Sequence, residues 1–383
     1  MANMIDYIRW RGDIPTWQVP VGEVDALVLS YLAYMPFDDI VPASFSAQGV
    51  PLGEAAREIL IRHDAGELPL AFSPKEDKKL LEAIAQGCRF ADMRVCGFDH
   101  RYDREREEQF CAMTFLAPDG RAVCAFRGTD RTVVGWKEDF NMTFSGVVPA
   151  QRSAIFYARE AAAALDMPLV LCGHSKGGNL AAYASIFSGE ETQEKIVCCY
   201  NFDGPGFNEE VCASDEFARI DMRIHVFLPK SSMVGILLWH SEPFTVVESE
   251  SVSVFQHLPF HWQVMGGKLV PAQGLTGDSR LADVTLKRWL QSLAPQLRRQ
   301  VIDGIYGVLS ASDGKHIADL FEPRNVLAII RAAGAMDEET RRALTEAFRL
   351  LGDTLRETLP DFIDERTDEL FLKVGKDKQQ DSE

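Results

Sequence analysis

The chain has 383 residues, 46% of them hydrophobic and 25% charged, with a formal net charge of -17. That length buries a substantial core and suits about two domains, or one large α/β domain with additions. The acidic balance argues against a nucleic-acid binder or a protein held on anionic lipid by basic patches, because either needs concentrated Lys and Arg.

The first residues, MANMIDYIRWRGD, lack the basic segment and long apolar run of a secretory signal. The longest apolar candidate, Met233 to Trp239, falls far short of the roughly eighteen residues a membrane span requires. A soluble, cytoplasmic chain is expected. Eight cysteines (Cys88, Cys96, Cys111, Cys124, Cys172, Cys198, Cys199 and Cys212) show no CxxC pair and no disulfide framework. They read as buried, reduced thiols acting as small hydrophobes, Cys172 among them.

Residues 20–90 carry helical spacing, with Val24, Leu27, Val28, Tyr31 and Leu32 on one face and Pro51, Pro69 and Pro74 as punctuation. An N-terminal helical layer over 1–90 is therefore predicted, ahead of the sheet. From Phe110 the period changes to that of strands: FCAMTFL and AVCAFRG are joined through Ala117-Pro-Asp-Gly120, a hairpin signal. A helix over 152–165, strand 168–172, a helix to Phe187 and strands 195–202 and 222–228 follow. Further strands are expected at 244–248, 252–255 and 268–270. This alternation predicts an α/β fold with a mostly parallel central sheet flanked by helices. Beyond Gly277 the pattern is helical, with Asp337 as an N-cap and an apolar stripe of Leu344, Phe348, Leu351, Leu355 and Leu359. The last ten residues read as a frayed tail. The expected division is a domain over 1–275 and a helical C-terminal extension over 276–383.

The segment Pro168 to Tyr183 reads as strand, sharp turn and helix around Gly-His-Ser-Lys-Gly-Gly. Gly173 and Gly177 flank Ser175 where such a turn has no room for a Cβ, the physical content of a nucleophile elbow. A lone G-x-S-x-G is weak, but the strand before and the small-residue helix after it favour a nucleophile over an ordinary turn serine. The backbone N–H of Lys176 then becomes one oxyanion donor. Thr129, after Gly128 in AFRGTD, is expected to supply the second, with Asp139 orienting that loop; the bland alternative is a β-turn with a surface salt bridge at Arg127. Five histidines follow Ser175. His257 is chosen as base because Pro259 makes it a loop residue ahead of the last expected strand, with His240 as runner-up. For the acid, Asp203 in NFDGPGF stands at a strand's C-terminal edge, and Glu242 is the spare. MVGILLW, 233–239, lines an acyl pocket, forms a lid or, more commonly for such runs, joins the core. No metal or organic cofactor is required.

AFRGT followed by Trp136-Lys-Glu-Asp139, GHSKGG and a late His ahead of Trp262 resemble the class 3 lipases of the α/β-hydrolase superfamily. IRWRGD, GHSKGGNLA, NFDGPGF, PKSSMVG and QHLPFHWQV, in that order, look more closely like the Mbeg-like family of bacterial lipase relatives, over roughly residues 4–270. The resemblance implies the hydrolase fold, Ser175 as nucleophile, Lys176 and Thr129 at the oxyanion positions and His257 as base. One departure matters: class 3 lipases carry their acid in a D-x-V-P segment, where this chain has Ser232-Met-Val-Gly235. Asp203 is the alternative, as in pancreatic-type lipases.

Two functions follow. One is a serine hydrolase of lipase or esterase type, acting on a small-molecule or lipid ester. The other, suggested by the substituted acid, is a non-catalytic interaction or scaffold protein that docks partners on its C-terminal helices.

Overall fold

The computed structural model describes residues 2–130, 135, 138, 141–142, 147–310 and 331–380, with backbone alone at 253–254, 295, 302, 305–310 and 361–380. The chain divides into two compact units, Met1–Gly274 and Leu275–Glu383.

The first unit opens with helices α1 (Met4–Arg11), α2 (Glu23–Leu32), α3 (Leu52–Asp64), α4 (Pro74–Gln86) and the one-turn α5 (Cys88–Ala91). Its eight-stranded sheet runs in sequence order: β1 (Val50–Pro51), β2 (Arg94–Asp103), β3 (Glu108–Leu116), β4 (Ala122–Phe126), β5 (Leu169–His174), β6 (Ile196–Phe202), β7 (Ile224–Pro229) and β8 (Phe244–Val247). The first four pair antiparallel, with β3 and β4 joined by the expected hairpin, and β4 through β8 pair parallel. Parallel neighbours need crossovers, and α6 (Pro149–Ala164) and α7 (Lys176–Phe187) provide two of them.

Strand β3 shows how both faces are covered. Cys111, Met113 and Phe115 join the core formed with the N-terminal helices. Phe110 and Thr114 point the other way, to Tyr157 of α6: the rings of Phe110 and Tyr157 lie 6.3 Å apart, and the Thr114 and Tyr157 hydroxyls 2.8 Å. A strand buried on both faces reads as a continuous apolar run and not as an alternation. Helices on both sides of a mostly parallel sheet make the α/β-hydrolase architecture that the sequence predicts.

Three expectations are corrected. The sheet begins with β1 and β2, ahead of Phe110. Strand β2 was missed because its second half, Asp99 to Asp103, is polar and only partly buried, and it follows a register shift between Cys96 and Asp99 that breaks the alternation. Residues 252–255 are not a strand; Ser253–His257 is a 3-10 turn. Lys268–Leu269 pairs with Val264–Met265 in a separate two-stranded ribbon outside the main sheet.

The second unit contains helices Gly277–Ser292, Pro295–Ser310 and Glu338–Gln380, the last running through the stretch expected to fray. Asp337 caps it through the Thr340 N–H at 2.8 Å. Its apolar stripe is only partly covered: Phe348, Leu355 and Leu359 are exposed and Leu344 and Leu351 half-buried, while Ala343, Ala347, Thr354 and Thr358 are buried. Small residues let helices approach closely. Trp289 donates to the Ala347 carbonyl at 2.8 Å, and the Thr285 and Thr358 hydroxyls meet at 2.9 Å. Among the described residues no helix is long and apolar enough to cross a membrane.

One buried ion pair ties the N-terminal helices together. Arg89 donates to Asp25 through Nε at 2.6 Å and Nη2 at 2.5 Å, and its guanidinium also reaches the carbonyls of Ile14, Val19 and Pro20. Tyr7 adds its hydroxyl to Asp25 at 2.9 Å. Removing one partner of such a pair strands the other charge, so Arg89→Met should lower the unfolding free energy by about 3–5 kcal/mol in urea titrations.

Candidate functional site

The strand-to-helix turn at the end of β5 is built by crowding. A Cβ on Gly173 would stand 2.1 Å from the backbone of Gly177, and one on Gly177 would stand 2.0 Å from the Phe126 carbonyl oxygen at the end of β4. Ser175 sits between them at φ 60°, ψ -135°, a conformation that persists only where the surroundings over-determine it. Its N–H donates to the Phe202 carbonyl at 2.9 Å. Gly128 approaches as closely: a Cβ there would lie 2.1 Å from the Tyr34 hydroxyl, 2.6 Å from the His174 carbonyl oxygen and 3.1 Å from Ser175 Cβ. The backbone leading into Thr129 is thereby laid against the serine.

Asp203 follows β6 at φ 52° and has no exposed surface. Its N–H donates to the Phe227 carbonyl at 2.8 Å, which carries β-type pairing one residue past the strand. Its Oδ2 lies 2.6 Å from His257 Nδ1, while Oδ1 accepts the Ser232 hydroxyl at 2.5 Å and the Gly235 N–H at 3.1 Å. The segment that carries an acid in class 3 lipases here hydrogen-bonds to an acid on the neighbouring strand. Gly204 completes the junction, since a Cβ on it would lie 2.4 Å from the Ser175 carbonyl oxygen.

His257 ends its 3-10 turn under three restraints. Gln256 accepts from the Ser231 N–H at 3.0 Å, buried Trp262 donates to the Gln256 carbonyl at 2.7 Å, and His174 Nε2 donates to the carbonyl of His257 itself at 2.7 Å. The His174 and His257 rings are 4.5 Å apart. Burial, with His257 beside it, holds His174 well below the ordinary imidazole range, partly opposed by its bond to the His257 carbonyl. The Tyr34 hydroxyl lies 3.2 Å from both Nδ1 and the carbonyl oxygen of His174. The runner-up residues form their own pair: His240 Nδ1 is 2.9 Å from Glu242 Oε1.

Lys176, whose N–H opens α7, sends its side chain away from this centre. Buried Nζ meets Glu138, the Gln109 carbonyl and the Gln109 side chain, each at 2.8 Å. Glu138 also accepts the N–H groups of Gln109 and Ala150. The expected orienting residue, Asp139, lies outside the described residues. Arg127 is buried and not a surface salt bridge; it donates to His100 Nε2 at 3.0 Å and pairs with Asp130 at 3.5 Å.

Sequence reasoning missed His174, Ser232, Gly235 and Glu138. A histidine directly before the elbow serine and a lysine directly after it, both on elements destined for burial, were the available signals.

The Mbeg1-like family model matches residues 84–307, more than half of the chain. The chain belongs to the Mbeg1-like family. Similar solved structures include M37 lipase (15% identity, TM-score 0.37, covering 56% of this chain and 70% of that one). The native propeptide complex of Rhizomucor miehei lipase follows at 13% identity, TM-score 0.34 and coverages of 51% and 66%. A mutant form of MDLA from Penicillium cyclopium shows 14%, 0.32 and coverages of 53% and 76%. Comparison with curated proteins finds no match. The family resemblance is borne out, and the matched residues include the elbow, NFDGPGF, PKSSMVG and QHLPFHWQV.

Two measurements check the buried groups. Lys176→Met should destabilise the fold by about 3–5 kcal/mol, with most of the loss recovered when Glu138→Gln is added, because the stranded carboxylate carries the penalty. His174 gains its proton only on unfolding, so its linkage leaves stability intact above the ordinary imidazole pKa of 6.5 and erodes it below. The slope is at most about 1.4 kcal/mol per pH unit for one histidine; His225, also held down by burial, acts with the same sign. Urea unfolding at about pH 7.5 and 5.5 should show the decline, and His174→Gln should flatten it.

Proposed function

We propose that this chain is a serine hydrolase of lipase or esterase type, acting on carboxylic esters. The observation that carries the reading is the 2.6 Å bond between His257 and a fully buried Asp203, beside a serine held in a strained elbow.

In this mechanism Nε2 of His257, whose Nδ1 faces Asp203, takes the Ser175 proton as Oγ adds to the ester carbonyl carbon. Asp203 fixes the ring orientation and stabilises the imidazolium. The N–H groups of Thr129 and Lys176 hold the carbonyl oxygen as it becomes an oxyanion. The ester C–O bond then breaks, the leaving alkoxide takes the proton from His257, and water, deprotonated by the same ring, releases the acid and regenerates Ser175. The chemistry needs no cofactor. We assign it to residues 1–275, treat the helices over 276–383 as an extension, and place the protein in the bacterial cytoplasm, where its eight free cysteines stay reduced.

The scaffold reading drew on the missing carboxylate at Ser232. Asp203 supplies a carboxylate from the adjacent strand, which favours the enzyme.

Purified protein should be labelled by a fluorophosphonate probe and should hydrolyse an activated short-chain ester. Ser175→Ala should abolish both, and Asp203→Asn should lower kcat by about 10²–10⁴. A folded wild-type protein that takes no label would sink the proposal, and unchanged turnover in Asp203→Asn would remove Asp203 from it.

A further inference from the structure

The His240–Glu242 pair is buried, lies apart from His257 and has no part in the chemistry above. Two acceptors face its ring. The Gly235 carbonyl oxygen is 2.6 Å from Nε2, and Glu242 Oε1 is 2.9 Å from Nδ1. A carbonyl only accepts, so Nε2 carries a hydrogen and points it at Gly235. The Nδ1 contact then holds one further proton, whichever of the two atoms bears it. Glu242 Oε2 has no partner among the described residues, so this carboxyl engages the protein through His240.

Gly235 is the residue whose N–H is shared between Asp203 Oδ1 at 3.1 Å and the Ser232 hydroxyl oxygen at 3.0 Å, itself bonded to the same carboxylate oxygen. There is no slack around it: a Cβ on Gly235 would lie 2.5 Å from that same oxygen. The chain between Gly235 and His240 is zipped to the segment following Asp203. Gly206 donates to the Leu237 carbonyl at 2.9 Å, and Phe207 and Trp239 exchange N–H···O bonds of 2.8 and 2.9 Å. Within this strap Leu238 is held at φ 64°, a left-handed conformation that a bulky residue keeps only under external constraint. The apolar run 233–239, with Ile236 and Leu238 buried, thus reaches Asp203 through Gly235 and the segment after Asp203 through Leu237 and Trp239.

We propose that Glu242 and His240 are positioning residues. By holding the Gly235 carbonyl they aim the Gly235 N–H at Asp203 Oδ1, which leaves Oδ2 directed at His257. The catalytic consequence rests on the hydrolase reading; the structural linkage does not.

Glu242→Leu removes the Nδ1 partner. Glu242→Gln keeps one, because a carboxamide N–H can donate to Nδ1 while the Nε2 hydrogen stays on Gly235. Proton NMR of the low-field His257 N–H resonance, assigned by its loss in Asp203→Asn, reads the Asp203–His257 bond without substrate. The Leu variant should lose or shift this resonance and lower kcat for an activated ester about tenfold, with KM within about twofold. The Gln variant should retain both. His240→Phe keeps an aromatic ring, slightly larger, and removes both ring nitrogens, so it should behave as the Leu variant does and serves if that variant does not fold. A folded Glu242→Leu or His240→Phe protein with the wild-type resonance overturns the proposal, as does a Gln variant as impaired as Leu. Should the wild type hydrolyse no ester, the hydrolase reading falls, while the resonance alone upholds or overturns the linkage.

Discussion

A carboxylate with no exposed surface has to be surrounded by donors, and the arrangement around Asp203 meets that requirement from three directions. Ser232 and Gly235 come from the segment after β7, and His257 comes from the turn beyond β8. The donors come from two stretches of chain besides the one that carries Asp203, so charge burial at one carboxylate fixes the relative placement of three loops. The positive φ of Asp203 is part of the same constraint, because it turns the side chain off the strand while its N–H continues the pairing with β7. Whatever the substrate, the loops on this side of the sheet are organised by the need to keep that oxygen pair satisfied.

On the other side the constraint is steric. Glycines at 128, 173, 177 and 204 allow the ends of β4, β5 and β6 to converge on Ser175 with no side chain between them. Close approach alone does not hold a turn, and the Lys176–Glu138 pair supplies the fastening. It anchors the first residue of α7 to Glu138 and, through Gln109, to β3. Lys176, whose N–H opens α7 directly after Ser175, thus faces the interior with its side chain.

Histidines carry the rest of the organisation in unequal roles. His257 is partly exposed and paired with the acid; His174 is buried beside it and kept neutral; His240 is buried with Glu242 behind the strap. From the chain alone these three differ only in their neighbours. Pro259 pointed to a loop at His257, and nothing equivalent marked His174, whose partners Tyr34 and His257 lie far away in sequence on either side. The empty acid position was legible, because Ser232 stands where a carboxylate belongs in the resembling lipases. That the Ser232 hydroxyl would itself donate to Asp203 was not, since the contact joins the ends of two strands.

Local backbone demands were written into the sequence. The glycine spacing about Ser175 dictated the elbow, the Ala117–Gly120 turn dictated the hairpin, and hydrophobic period separated the N-terminal helices from the strands that follow. Where a segment's state depends on what it packs against, the pattern misled. Strand β2 has a charged half that exists as strand because β3 supplies its hydrogen bonds; residues 252–255 look extended yet coil into the turn that presents His257; and the C-terminal helix buries Ala343, Ala347, Thr354 and Thr358 and leaves Phe348 and Leu355 outside. Which carboxylate meets which imidazole belongs to the same class. Asp203 and His257 are 54 residues apart, and only the closure of the sheet between them, strand by strand, decides that their atoms share a hydrogen bond.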